Sequence, residues 1–237
     1  DLGAHFSSGK VLVGATLTKR PKQAVQLVRK IHRLPITPRQ KRLAIITKVL
    51  PGALYGAEAQ PINDAAFAAL RAAIATCVGC NSSRRSINMT FSFTSADHRD
   101  VDPIYFLTLK RWRTLRRAWC KEPDNFIKFQ SIYRYYCDQL TPGTFGDHCD
   151  LSTLNPIPPP GHPNRSDYKL HQPIFGPIGI LIRHMRELGT AVDSNLVLHA
   201  YREPAYEMPQ IAWHFLPDLL GGIVDRYRIF TLAARTT

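Results

Sequence analysis

No apolar run in these 237 residues approaches the roughly 18 to 20 needed to cross a bilayer, and no basic start leads into the short hydrophobic stretch of a signal peptide. A membrane partner is therefore not expected, and the expected address is intracellular, in the nucleus or cytoplasm. Cysteine is sparse: five residues, an odd number and scattered, fit free thiols better than a disulfide framework. No serine sits in a Gly-x-Ser-x-Gly turn, and Gly221-Gly222 lacks the lysine and hydroxyl of a phosphate loop. No Asp-Asp pair occurs anywhere. The scarcest group is acid at the front. Residues 1 to 50 carry eleven Lys and Arg against one Asp, a net charge of +10. Residues 51 to 120 carry +4, and residues 121 to 237 carry −1. Charge added only for solubility would be scattered in both signs, so the asymmetry points to a polyanion, either nucleic acid or an anionic surface. The plain alternative is one lysine-rich solvated helix face.

The 44% hydrophobic content is ordinary for a globular core. Residues 1 to 18 read as a small β-hairpin: Asp1 to Phe6, a turn at Ser7-Ser8-Gly9, then Val11 to Val13 and Ala15 to Leu17. From Lys19 the period becomes helical. Ala24, Leu27, Val28, Ile31 and Leu34 form an apolar stripe, while Lys22, Gln26, Arg29 and Arg33 share the opposite face. Thr37-Pro38-Arg39-Gln40 predicts a capping box opening a second, more buried helix lined by Leu43, Ile46 and Leu50, widened by Ile45 and Val49, and stopped by Pro51-Gly52. Ala53 to Ala59 predicts a short helix. Asn63 caps another carrying Phe67, Leu70, Ile74 and Cys77 on one face.

The polar stretch from 80 to 100 reads as a loop. Asp102-Pro103 opens a helix with Ile104, Trp112, Leu115 and Trp119 on one arc and Lys110, Arg113 and Arg117 on another. Asp124 opens an aromatic helix with Phe126, Phe129, Ile132, Tyr133, Tyr136 and Leu140. Residues 146 to 175 have linker composition. Beyond them come a helix from Gly176 to Leu188 with Gly189 as its C-cap, a β-type stretch at Leu196 to His199, and closing helices at Pro209 to Leu220 and Ile223 to Ala234. The expected fold is mainly α.

Chemistry-bearing constellations are few. Cys77-x-x-Cys80 with Cys137, His148 and Cys149 lacks the second close pair of a zinc site, so no metal site is expected. Asp100 and Asp102 could share a divalent cation, but Asp102 already serves as an N-cap before Pro103. The tryptophans at 112 and 119 could stack on bases, yet their shared apolar arc favours packing. What remains is basic. Lys22, Arg29 and Arg33 are the leading phosphate contacts, followed by Lys19, Lys30, Lys41 and Lys48, with Lys110, Arg113 and Arg117 as a second surface.

The order of landmarks resembles one family. Asp1-Leu2-Gly3-Ala4-His5-Phe6 is similar to the strand that follows the catalytic palm of non-LTR retrotransposon reverse transcriptases. A basic helix, a Leu34-Pro35 break and a lysine-rich helix follow in the same order, and then Val49 to Glu58, similar to the family's proline, leucine-tyrosine-glycine-x-glutamate signature. The resemblance covers roughly residues 1 to 80; Asp102-Pro103 and Gly176-Pro177 look like extensions of some retroelements. It implies the end of the palm in residues 1 to 18, a basic helical thumb in 19 to 80, a helical extension in 81 to 145 and a C-terminal helical segment in 176 to 237. It further implies a grip on RNA or DNA duplex, an upstream polymerase domain of the same polypeptide, and magnesium in the whole polymerase but no cofactor in this segment. Tyr55 and Glu58 are expected to form a packing corner. The family's aromatic-x-Asp-Asp turn would lie before Asp1, so this segment alone is expected to be non-catalytic. Two other readings stay open: a host-retained RNA- or DNA-binding module, and a metal-dependent nuclease using Asp100, Asp102 and Asp97 or His98.

Overall fold

Helix α1 (Ala15–Arg33) forms because Leu17, Pro21, Ala24, Val25, Val28 and Ile31 recur at intervals of three and four, and all six are buried. The computed structural model describes residues 15–79, 86–94, 101–140, 176–193, 195–200, 203–212 and 214–236, in two units, Asp1–Lys110 and Arg111–Thr237. The helix starts earlier than its sequence suggests. Ala15 to Leu17, expected in a strand, form its first turn, because Leu17 extends the buried stripe and is fully covered. The rest of the expected hairpin lies outside the described residues. Leu27 is only half-buried and Leu34 is 48% exposed; Val25 takes the place expected for them.

The capping box at Thr37 is present. Its backbone N–H donates to Gln40 Oε1 at 2.9 Å, and its hydroxyl accepts from the Gln40 N–H at 3.3 Å. Helix α2 (Pro38–Ala44) then widens into a π-helical segment, Ile45–Val49, and continues as α3 (Leu50–Ala53), so Pro51-Gly52 does not end it. A proline ring crowds the carbonyl four residues back, and the wider π turn directly before Pro51 accommodates it. That widening also turns the faces. The segment is not the more buried of the two: α2 buries nothing and Leu43 is half exposed, while Ile45, Val49 and Leu50 enter the core. From Leu54 to Gln60 the chain runs in turns rather than a helix, with Gly56 in the left-handed region at φ 82°.

Helix α4 (Asp64–Val78) is capped by Asn63 and buries Phe67, Leu70, Ile74 and Cys77, as its spacing predicts; it packs on α1. Helix α5 (Ile87–Thr94) replaces part of the expected loop. Its hydroxyls are satisfied within the helix, Thr90 donating to Ser86 O and Thr94 to Thr90 O, while Phe91 is fully buried. One guanidinium ties these elements. Arg71 on α4 donates to both oxygens of Asp102 at 3.0 and 2.8 Å and to Asn88 Oδ1 at 2.9 Å. Asp102, fully buried, accepts the Ile104 N–H at 3.0 Å and so starts α6 (Pro103–Lys121). Removing Arg71 would leave that carboxylate buried without its opposite charge. Arg71→Ala is expected to lower stability by about 3–5 kcal/mol in urea unfolding; a loss below about 1 kcal/mol would show that water or another group takes over.

In the second unit the aromatics expected on α7 (Pro123–Leu140) build the core with the end of α6. Trp119 lies 4.9 Å from Phe129 and 5.2 Å from Phe126, centroid to centroid, and Trp112 and Tyr133 are fully buried. Tyr133 donates to Val192 O at 3.0 Å and Trp112 Nε1 to Met185 Sδ at 3.3 Å. Ile132, expected inside, is 46% exposed, and the side chains of Tyr136 and Leu140 lie outside the described residues, as does the expected linker. Helix α8 (Gly176–Glu187) ends as predicted at Gly189, whose φ is 75°; a Cβ there would meet the Tyr227 ring at 2.1 Å. A three-stranded antiparallel sheet follows, β1 (Thr190–Val192), β2 (Val197–Ala200) and β3 (Tyr206–Glu207), with Thr190 opposite Ala200 and Val197 opposite Glu207. Only β2 was expected. A single helix, α9 (Leu216–Thr236), stands where two were expected, with Gly221 and Gly222 inside it. The fold is mainly α with this small sheet.

The β1–β2 turn is organised by Asp193, which accepts from Asn195 N and Val197 N at 2.8 and 2.9 Å and meets His199 Nε2 at 3.2 Å. Burial alone pushes its carboxyl up, but the hydrogen bonds from His199, Val197 and Asn195 outweigh burial and hold it below the ordinary range. A carboxyl with a depressed folded pKa stabilises fully above its unfolded value, about pH 3.9, and loses that contribution as pH falls through the folded one. The stability difference between the native chain and Asp193→Asn should hence shrink as pH falls below about 4; a difference that grows there on acidification would reverse the assignment.

Candidate nucleic-acid interface

The six basic residues of α1, with no acid among its nineteen, sit where its buried stripe leaves them. Lys19, Lys22, Arg29, Lys30 and Arg33 are exposed, and among the described residues none of the five has a carboxylate or a hydrogen-bond partner. Lys22, Gln26, Arg29 and Arg33 are all exposed, as the helical spacing predicts. Lys48, in the π-helical segment, is exposed as well.

Other candidates have intramolecular partners. Lys41 Nζ donates to His32 O at 2.8 Å, closing the C-terminus of α1. Lys110 pairs with Glu58 at 2.9 Å and lies 5.7 Å from the Tyr55 ring centroid. Arg20, which sequence reasoning passed over, lies 5.3 Å from the same ring and donates to Tyr55 O at 2.8 Å. Tyr55 and Glu58 thus sit in a corner held by two cations. Arg113 is half-buried and Arg117 exposed.

Beside the α1 face runs a groove of about 500 Å³ between α1 and α4. Val25, Arg29, His32 and Arg33 line one side, and Ala69, Ala72, Ala73 and Thr76 the other. The small side chains of α4 leave this space open. In the sequence the alanines look like simple helix formers, and only the packing of α1 on α4 turns them into a wall. His32 Nδ1 is buried without a hydrogen-bond partner among the described residues.

The acidic and thiol candidates are placed differently. Asp102 is held by Arg71 and caps α6, so its carboxylate is fully engaged in structure; Asp97, His98 and Asp100 lie outside the described residues. Among the described residues no group of three or more His, Cys, Asp or Glu is arranged to hold a metal ion. No described helix is long and apolar enough to cross a membrane. Trp112 is buried in the second unit, and the half-buried Trp119 packs edge-on against it. No family model, curated protein or solved structure matches the chain.

Cys77 is buried on the core face of α4, and burial pushes its thiol up against the lowering pull of Lys41; Cys120 is exposed. A thiol reagent should label Cys120 rapidly and Cys77 only as the chain unfolds. Fast labelling of Cys77 in the folded chain would contradict its place in the core.

Proposed function

We propose that the chain binds nucleic acid without reading its sequence, gripping phosphates through the exposed face of α1, and that it is the thumb and C-terminal region of a retroelement reverse transcriptase. The observation that carries the binding is the set of five exposed cations on one helix without a carboxylate partner among the described residues. Phosphate neutralisation needs several like charges facing one way and no fixed donor pattern, which suits a polymerase that accepts any template. The polymerase part rests on the sequence landmarks from Asp1 to Glu58. A host-retained binding module would use the same face; an aromatic-x-Asp-Asp turn encoded in frame upstream separates the two.

Replacing Lys22, Arg29 and Arg33 together by Gln should weaken binding to a duplex of arbitrary sequence and reduce the slope of log affinity against log salt by about three units, one per phosphate contact. The melting temperature should barely move, because exposed substitutions usually change stability by less than about 0.5 kcal/mol. An unchanged salt slope in a folded triple variant would remove the electrostatic account.

A further inference from the structure

We infer that the groove between α1 and α4 is a seat for one nucleic-acid strand, its sugar–phosphate backbone lying along the alanine wall with phosphates on Arg29 and Arg33. This deepens the binding reading above and rests on it: that reading needs only a cationic surface, whereas this one assigns a cavity and a strand. Three features select the occupant. The charge is complementary and directional, since Arg29 and Arg33 are both exposed, both line the groove and have no carboxylate partner among the described residues. Being four residues apart on α1, they stand about 6 Å apart along the axis, so two guanidinium forks face successive phosphates of one strand.

The second feature is the opposite wall. Ala69, Ala72 and Ala73 present methyl groups, and Thr76 donates its hydroxyl back to Ala72 O at 2.9 Å, so that wall offers van der Waals surface. Such a surface suits the apolar edge of a sugar and would leave a small, fully solvated anion without purpose for it. The third is size. A groove of about 500 Å³ lies in the range of ligand pockets. The groove lies between two packed helices, and one strand rather than a whole duplex is the occupant we assign to it. A duplex would meet the exposed face of α1 alone.

The test fills the groove without touching a charge. Ala72 is exposed and leucine is a good helix former, so Ala72→Leu should keep the melting temperature; Ala69→Leu, on the same wall, is the second filling variant should the first be unstable. Labelled oligo(dT) of about a dozen nucleotides and a blunt duplex are titrated into the full chain at several salt concentrations. The expected result is at least about tenfold weaker oligo(dT) binding by the filled variant, with duplex affinity and its salt slope unchanged. Unchanged oligo(dT) affinity in a folded variant overturns the groove while leaving the cationic face of α1 standing. An equal loss for strand and duplex overturns the strand assignment, and so does a polyglutamate peptide that displaces oligo(dT) as well as unlabelled oligo(dT) does. Failure of the broader binding reading would show elsewhere, as a native chain that binds neither nucleic acid or a triple glutamine variant with an unchanged salt slope.

Discussion

A carboxylate sealed from water must be matched, and in the first unit Asp102 is matched by Arg71. Much else there follows from that pair. Arg71 sits on α4 with Nη2, which also holds Asp102 Oδ2, donating to Asn88 of α5 and its guanidinium 5.5 Å from the Phe91 ring centroid, so one side chain fixes α5 and the start of α6 against α4. Because α4 is pinned on that side, its alanines are held in place on the side that meets α1.

Local signals were legible where the physics is local. Thr37 with Gln40, Asn63, Asp102 and Gly189 are caps, each determined by a few consecutive residues, and each stands where its sequence places it. The stripe of α1 was legible in part, at Ala24, Val28 and Ile31 but not at Leu27 and Leu34. Ala15 to Leu17 were misread because β-type composition is outweighed once Leu17 joins a buried stripe begun further along. The helix at Ile87–Thr94 was hidden by hydroxyls that usually favour turns and here bond to the preceding turn. Gly221 and Gly222 suggested a break, yet the buried residues Leu216, Leu220, Ile223, Val224 and Tyr227 hold α9 together across them.

The candidate site divides along the same line. Exposure of Lys22, Arg29 and Arg33 follows from periodicity, and sequence alone placed it. The engagement of Lys41 with His32 O, of Lys110 with Glu58, and of Ala72 as a wall for Arg29 depends on segments nine to about fifty residues apart meeting in space. No pattern within one helix reports that.

All three tryptophans, at 112, 119 and 213, fall in the second unit, and the first has none. Two of them belong to the α6–α7 aromatic cluster, with Trp112 fully buried against Met185. Indole emission is consequently an intrinsic reporter of the second unit alone, while far-ultraviolet circular dichroism sees helices of both. Melting the chain under both probes would show directly whether the two halves lose structure together or in sequence, with no label attached.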